Sequence, residues 1–152
     1  MSAMPPTETL LFFGFLLIWL GGWIVASISF RISRGKPIFP SVPDDAVYAE
    51  RWGSGRNLAI FWGRFGGANN CLVFAVTRDR LVVLPRFPFN LMFLPEILGL
   101  EFDVALEDLT NVERSRFFWR DVATISTRNG QRFELYPRRI DEFMAALGRR
   151  WT

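Results

Sequence analysis

The chain contains no histidine and a single cysteine, Cys71, in 152 residues. Without an imidazole, neither the Ser-His and Cys-His nucleophile pairs nor the usual zinc sites can be assembled. With one thiol no disulfide can close within the chain, which fits a reducing compartment. Cys71 sits among Asn70, Leu72, Val73 and Phe74 and reads as a small buried hydrophobe. Lysine is nearly missing as well: every basic residue except Lys36 is an arginine. So uniform a bias follows base composition more readily than ligand chemistry, and it points to a GC-rich, bacterial gene. The arginines are dispersed and accompany no recognised nucleic-acid motif, so nucleic acid is not an expected partner. The carboxylates do not pair as acid and base either. Asp44-Asp45, Glu107-Asp108 and Asp141-Glu142 are sequence neighbours, which face opposite sides of a strand or complement a helix dipole. No cofactor, metal ligand set or small-molecule substrate is expected, and the chain does not read as an enzyme.

Against these absences stands one long apolar run. Leu10 to Phe30 carries no charge, and as a helix at ~1.5 Å per residue it matches a hydrocarbon core of about 30 Å. A cleaved signal would want positive charge ahead of a shorter run; residues 1–9, a short tail, offer Glu8 and neither Lys nor Arg. A buried core helix seldom stays apolar on every face for this length. The expectation is a retained transmembrane helix over 10–30. Arg31, Arg34 and Lys36 follow it and no basic residue precedes it. The excess of Lys and Arg marks the cytoplasmic flank. The protein is therefore expected to be single-pass in an inner (cytoplasmic) membrane, with its N-terminus outside and its C-terminal domain in the cytoplasm, and the lipid bilayer is its first partner.

Residues 31–46 contain Pro37, Pro40 and Pro43, a spacing suited to an extended connector. From Val47 the apolar period changes to that of strands. Leu58 to Trp62 reads as a strand. Cys71 to Thr77 and Leu81 to Leu84 flank Arg78-Asp79-Arg80 as a hairpin. Val122 to Arg128 and Gln131 to Tyr136 flank Asn129-Gly130, the strongest local turn signal. A two-residue turn there sets Phe133 opposite Ser126 and Leu135 opposite Thr124, with Phe133 and Leu135 facing the core. Ile140, Phe143, Met144, Leu147 and Trp151 form one apolar stripe, predicting an amphipathic helix over 139–151. The fold class expected is a single N-terminal transmembrane α-helix followed by an α+β, mainly antiparallel β domain over 47–152, capped by that C-terminal helix.

The order of these elements carries a resemblance: a hairpin with Thr77 before its turn (FAVTRDRLVVL), an alternating strand through Phe102, Val104 and Leu106 into Asp108-Leu109-Thr110-Asn111-Val112, the Asn-Gly hairpin, and the terminal helix. Over about residues 50–150 the chain resembles the pleckstrin-homology-like superfold, in particular its GRAM-like and bacterial branches. The resemblance implies a strongly bent seven-stranded sheet folded into a split barrel, plugged at one end by the helix, and a non-catalytic module that docks lipid headgroups or proteins. The chain departs from lipid-binding members at the hairpin tip, where only Arg78 and Arg80 flank Asp79.

Two segments are candidates for contact. Pro85 to Leu100 is unusually apolar for a connection. Phe87, Phe89, Leu91, Met92, Phe93 and Leu94 either complete the core or form an exposed patch for a partner or the membrane interface. Arg114-Ser115-Arg116-Phe117-Phe118-Trp119-Arg120 interleaves arginines and aromatics. Either Arg114, Arg116 and Arg120 contact anionic lipid, or the run is an edge strand with Arg116, Phe118 and Arg120 outward and Phe117 and Trp119 inward. The first reading of function is a docking or adaptor module for a protein partner, or for a second copy of itself. The alternative is a peripheral module that binds anionic lipid.

Overall fold

A computed structural model describes residues 6–61, 63, 66–92 and 98–148. It divides into two units, one ending at Ile38 and one beginning at Phe39.

The first unit is helix α1, Pro6–Ser33, 28 residues or about 42 Å in length. Its Thr7–Ser33 stretch has a mean hydropathy of 2.2, long and apolar enough to cross a membrane. The helix outruns the uncharged segment at both ends. Glu8 lies in its first turn and Arg31 in its last, each with the sign the helix dipole favours. Leu10, Phe12, Phe15, Ile18 and Val25 are all exposed, so no apolar stripe is set aside for a protein core. The helix stops at Gly35, whose φ of 66° only glycine adopts without cost. Gly35 N donates to Ile32 O at 3.0 Å and Lys36 N to Arg31 O at 2.9 Å, the paired bonds of a Schellman cap.

The second unit is one sheet of seven strands in the order β4-β3-β2-β1-β7-β6-β5, every neighbouring pair antiparallel. The strands are β1 Tyr48–Asn57, β2 Ala68–Val76, β3 Arg80–Pro85, β4 Phe102–Ala105, β5 Leu109–Phe117, β6 Arg120–Thr127 and β7 Arg132–Tyr136, followed by helix α2, Ile140–Gly148. The 71–84 hairpin stands as expected, with Val76 opposite Leu81 and Phe74 opposite Val83. Thr77 closes its turn: the hydroxyl accepts from Arg80 N at 3.0 Å and donates to Asp79 at 2.9 Å.

Two expectations are corrected. The strand assigned to Leu58–Trp62 lies one step earlier, as β1. Asn57 ends it, its side-chain oxygen accepting from Ala59 N at 2.9 Å and its amide donating to Gly99 O at 3.0 Å, a local bond that draws the chain out of the ladder; Trp62 lies outside the described residues. β1 was hidden because its sequence, YAERWGSGRN, is poor in β-branched residues. It needs Gly53, where an added Cβ would lie 2.4 Å from the Phe74 ring. The second correction is of register. Ile125 faces Phe133 and Ala123 faces Leu135, one residue from the expected pairs. Thr127 N bonds to Gln131 O and only Gly130, at φ 79°, is left-handed. The connection is thus a three-residue loop ending in a left-handed glycine and not a two-residue turn.

Phe133 and Leu135 remain buried: Leu135 joins Leu72, Phe74, Val83, Ile125 and the α2 side chains Ile140, Phe143 and Leu147 in one core, and Phe133 stacks on Phe102 at 3.8 Å. The Phe143 ring lies 5.3 Å from Tyr48 and 6.1 Å from Phe74, so α2 is fastened to the sheet through β1 and β2. The expected helix over 139–151 is described as far as Gly148; Trp151 lies outside the described residues. Beneath α2 the buried Glu50 carboxylate accepts from Tyr48 Oη at 2.6 Å and from Arg138 N at 2.9 Å, which satisfies a group that would be costly to bury alone.

Candidate functional site

β5 and β6 pair without a break from Val112–Ile125 to Phe117–Arg120. That leaves Phe118 and Trp119 as a two-residue turn. The ladder supplies the rigidity, and the turn receives residues that no turn propensity favours. Phe118 has φ 55°, the left-handed first position that a type II′ turn ordinarily fills with glycine. A bulky residue held there is costly, and strain of this kind clusters at functional sites.

Phe117, Phe118 and Trp119 are 51%, 76% and 85% exposed. The reading that put Phe117 and Trp119 inward is therefore corrected, because the strand ends at Phe117 and its alternation ends with it. The rings rest on each other, at 4.9 Å for Phe117–Phe118 and 5.6 Å for Phe118–Trp119. Beneath them lies a polar platform. Glu134 Oε2 accepts from Arg56 Nε at 2.6 Å and from Tyr136 Oη at 3.0 Å, and the Arg56 guanidinium lies 5.6 Å from the Phe117 ring. The bond to Glu134 raises the Arg56 pKa further. Burial, then the same carboxylate, raises that of Tyr136. Tip and platform enclose a recess of about 350 Å³, with Gly55, Gly67 and Asn69 on its far wall.

The three arginines assigned to anionic lipid are largely spent within the protein. Arg114 faces Asp141 at 2.6 Å and Asp121 at 3.4 Å, and Arg116 faces Asp121 at 3.7 Å. Arg120 lies over the Tyr136 ring at 5.3 Å and makes no ion pair among the described residues. The tip is thus aromatic and close to charge-balanced.

The 85–100 segment divides between the two readings given for it. Asn90, Leu91 and Leu100 are buried, Leu91 within a 3₁₀ turn, Phe89–Leu91, so Leu91 is a core residue and not a contact. Phe87, Phe89 and Met92 are exposed, while Phe93 and Leu94 lie outside the described residues. Arg86 lies flat on Trp52, its guanidinium carbon 3.6 Å from the ring centre. Phe87 pairs with Phe39 at 5.0 Å, a residue that sequence reasoning had left in the connector. Of the basic flank, Arg31 turns back to donate to Pro37 O at 2.9 and 3.2 Å, Arg34 lies 5.2 Å from the Phe30 ring, and Lys36 is half-buried.

Among the described residues no group of three His, Cys, Asp or Glu side chains is placed to hold a metal ion. No family model matches the chain, and no curated protein sequence matches it.

Proposed function

We propose that this protein is a membrane-anchored, non-catalytic docking module: α1 spans the inner membrane, and a pleckstrin-homology-like β domain on the cytoplasmic side binds a protein partner through the Phe117–Trp119 tip. The length and composition of α1 support the anchor. The Arg31, Arg34 and Lys36 flank supports the cytoplasmic side. The strand order with its closing helix supports the superfold.

The observation that carries the docking reading is the tip itself: three consecutive exposed aromatics on a fully paired hairpin, one of them in a strained backbone conformation. Trp, Tyr and Arg dominate interface hot spots, the two aromatics because they bury a large area with little rotamer entropy to lose. Tip and platform bring together Trp119, Tyr136, Arg56 and Arg120. An anionic bilayer would instead reward uncompensated charge, and here Asp121, Asp141 and Glu134 offset Arg114, Arg116 and Arg56.

A photo-crosslinking residue at Arg116 in the full chain, expressed in cells, tests this. The expected result is one discrete protein adduct that falls by about 30-fold or more when Trp119→Ala is added, the loss that a hot-spot truncation of ~2 kcal/mol or more brings. Adducts to lipid alone, or a protein adduct indifferent to Trp119→Ala, would overturn the proposal.

A further inference from the structure

We infer that the recess beneath the Phe117–Trp119 tip takes a carboxylate: the partner enters it with a short segment that carries an Asp or Glu beside a large apolar residue, the acid received by Arg120 and the apolar side chain by Trp119. The inference rests on the docking reading and names what the partner must bring to it.

Charge comes first. The recess is lined by Arg56 and Arg120 and by no acidic residue. Its far wall comes from a stretch, Arg51 to Arg78, that contains neither Asp nor Glu. Of the two cations, Arg56 is answered by Glu134, which its Nη2 reaches at 2.6 Å. Arg120 is not answered. Successive side chains of a strand leave opposite faces, so Asp121 turns away to Arg114 and Arg116 on the other face of the sheet, while Arg120 stays with Phe117, the residue paired with it on β5. One positive charge is left at the recess.

The state of Arg120 is the second argument. Its side chain is exposed, and its guanidinium lies over the Tyr136 ring at 5.3 Å. That contact engages the ring through the positive charge and consumes none of the N–H donors. Among the described residues those donors meet no carboxylate or other acceptor. A planar fork of free N–H groups, its position fixed by a ring, is suited to receive a carboxylate through two parallel bonds.

Size is the third. The recess of about 350 Å³ stands at the lower end of ligand pockets, about 300–1,000 Å³, which gives room for a side chain or two and not for a folded surface. Phe118 and Trp119 line the same recess and are largely exposed, so a segment that brings its acid to Arg120 brings the neighbouring residue against those rings. A phosphate group carries about −1.5 to −2 at neutral pH and calls for more than the single uncompensated cation here. One carboxylate balances it.

The full chain in cells, with the photo-crosslinking residue at Arg116, tests the inference. Arg120→Gln removes the charge from an exposed side chain and is expected to cut the protein adduct by about 30-fold or more, as removing one partner of a desolvated charge pair does. Arg120→Lys supplies an amine at the same place. In opened membranes treated with a carbodiimide, which joins an amine to a carboxylate without a spacer, that variant is expected to form a covalent adduct with the same protein, absent from the wild type and lost when Trp119→Ala is added. This is a gained signal, which a misfolded domain does not give. An Arg116 adduct that depends on Trp119 yet is unchanged by Arg120→Gln, or no carbodiimide adduct with Arg120→Lys, overturns the inference and leaves the docking reading standing. Loss of the Arg116 adduct on phosphatase treatment of opened cells before irradiation does the same, because it assigns the recess to phosphate. Absence of any protein adduct at Arg116 overturns both.

Discussion

The Asp121 carboxylate lies 3.4 Å from the Arg114 guanidinium. Its other oxygen faces Arg116 at 3.7 Å, so one acidic side chain on β6 restrains two arginines of edge strand β5. Asp121→Asn releases Arg116 and leaves Arg114 with Asp141 alone. These groups are solvent-accessible, so stability is expected to change by no more than about 1 kcal/mol. Nanodisc-held protein, in contrast, should tether anionic vesicles that the wild type leaves alone, and raised salt should abolish the effect. A co-sedimentation assay that finds no gain would show that charge compensation does not govern this surface.

Phe118 occupies a position suited to glycine. Phe118→Gly removes a left-handed strain of order 1 kcal/mol from a side chain whose ring pairs among the described residues are with Phe117 and Trp119. Thermal unfolding is expected to rise by a few degrees while the Arg116 crosslink weakens. A variant that loses stability would mean that the tip rings support the hairpin and are not held there for a partner.

Gly53 marks where β1 passes under the Phe74 ring. Gly53→Ala forces a methyl group into that contact, and overpacking of this kind costs about 1–3 kcal/mol. For a domain of this size, each kcal/mol corresponds to a fall in Tm of roughly 4–8 °C. Calorimetry showing an unchanged Tm would contradict the position assigned to β1.

Tyr48 donates to the buried Glu50 carboxylate, and burial, then that bond, raises its pKa above the ordinary 10.0. The folded state thus holds the phenolic proton more tightly than the unfolded chain. The stability this confers is complete below pH 10.0 and is lost as pH rises past it. Tyr48→Phe should cost about 1.5–3 kcal/mol at neutral pH, the worth of a hydrogen bond to a charged group. Denaturant titrations should show the gap from wild type narrowing above pH ~10. A gap that stays constant with pH would break the link to the phenolic proton.

What could be read from residues alone follows from where local signals agree with tertiary ones. The apolar run of α1 is long, the 71–84 hairpin and the Phe143 stripe of α2 are periodic, and each appears at its expected place. The Asn-Gly turn was found but its loop was one residue longer, because Gly130 has a positive φ and Asn129 does not. β1 was missed because its glycines serve the close approach of Phe74 and Leu135, a demand that comes from other strands. The tip was missed for a related reason: Phe118-Trp119 carries no turn chemistry, and alternation in sequence runs through it as though the strand continued. The only hint was the density of aromatics between arginines. Phe39 offered no signal at all, since its partner lies 48 residues away in the chain.

The central claim is that α1 crosses the membrane and leaves the docking tip in the cytoplasm. A Trp119→Cys, Cys71→Ser chain offers one highly exposed thiol on that tip. Membrane-impermeant maleimide applied to intact cells and to opened cells reads its side directly. The account predicts labelling only after the membrane is opened; labelling in intact cells, or full-length chain in the washed soluble fraction, would contradict it.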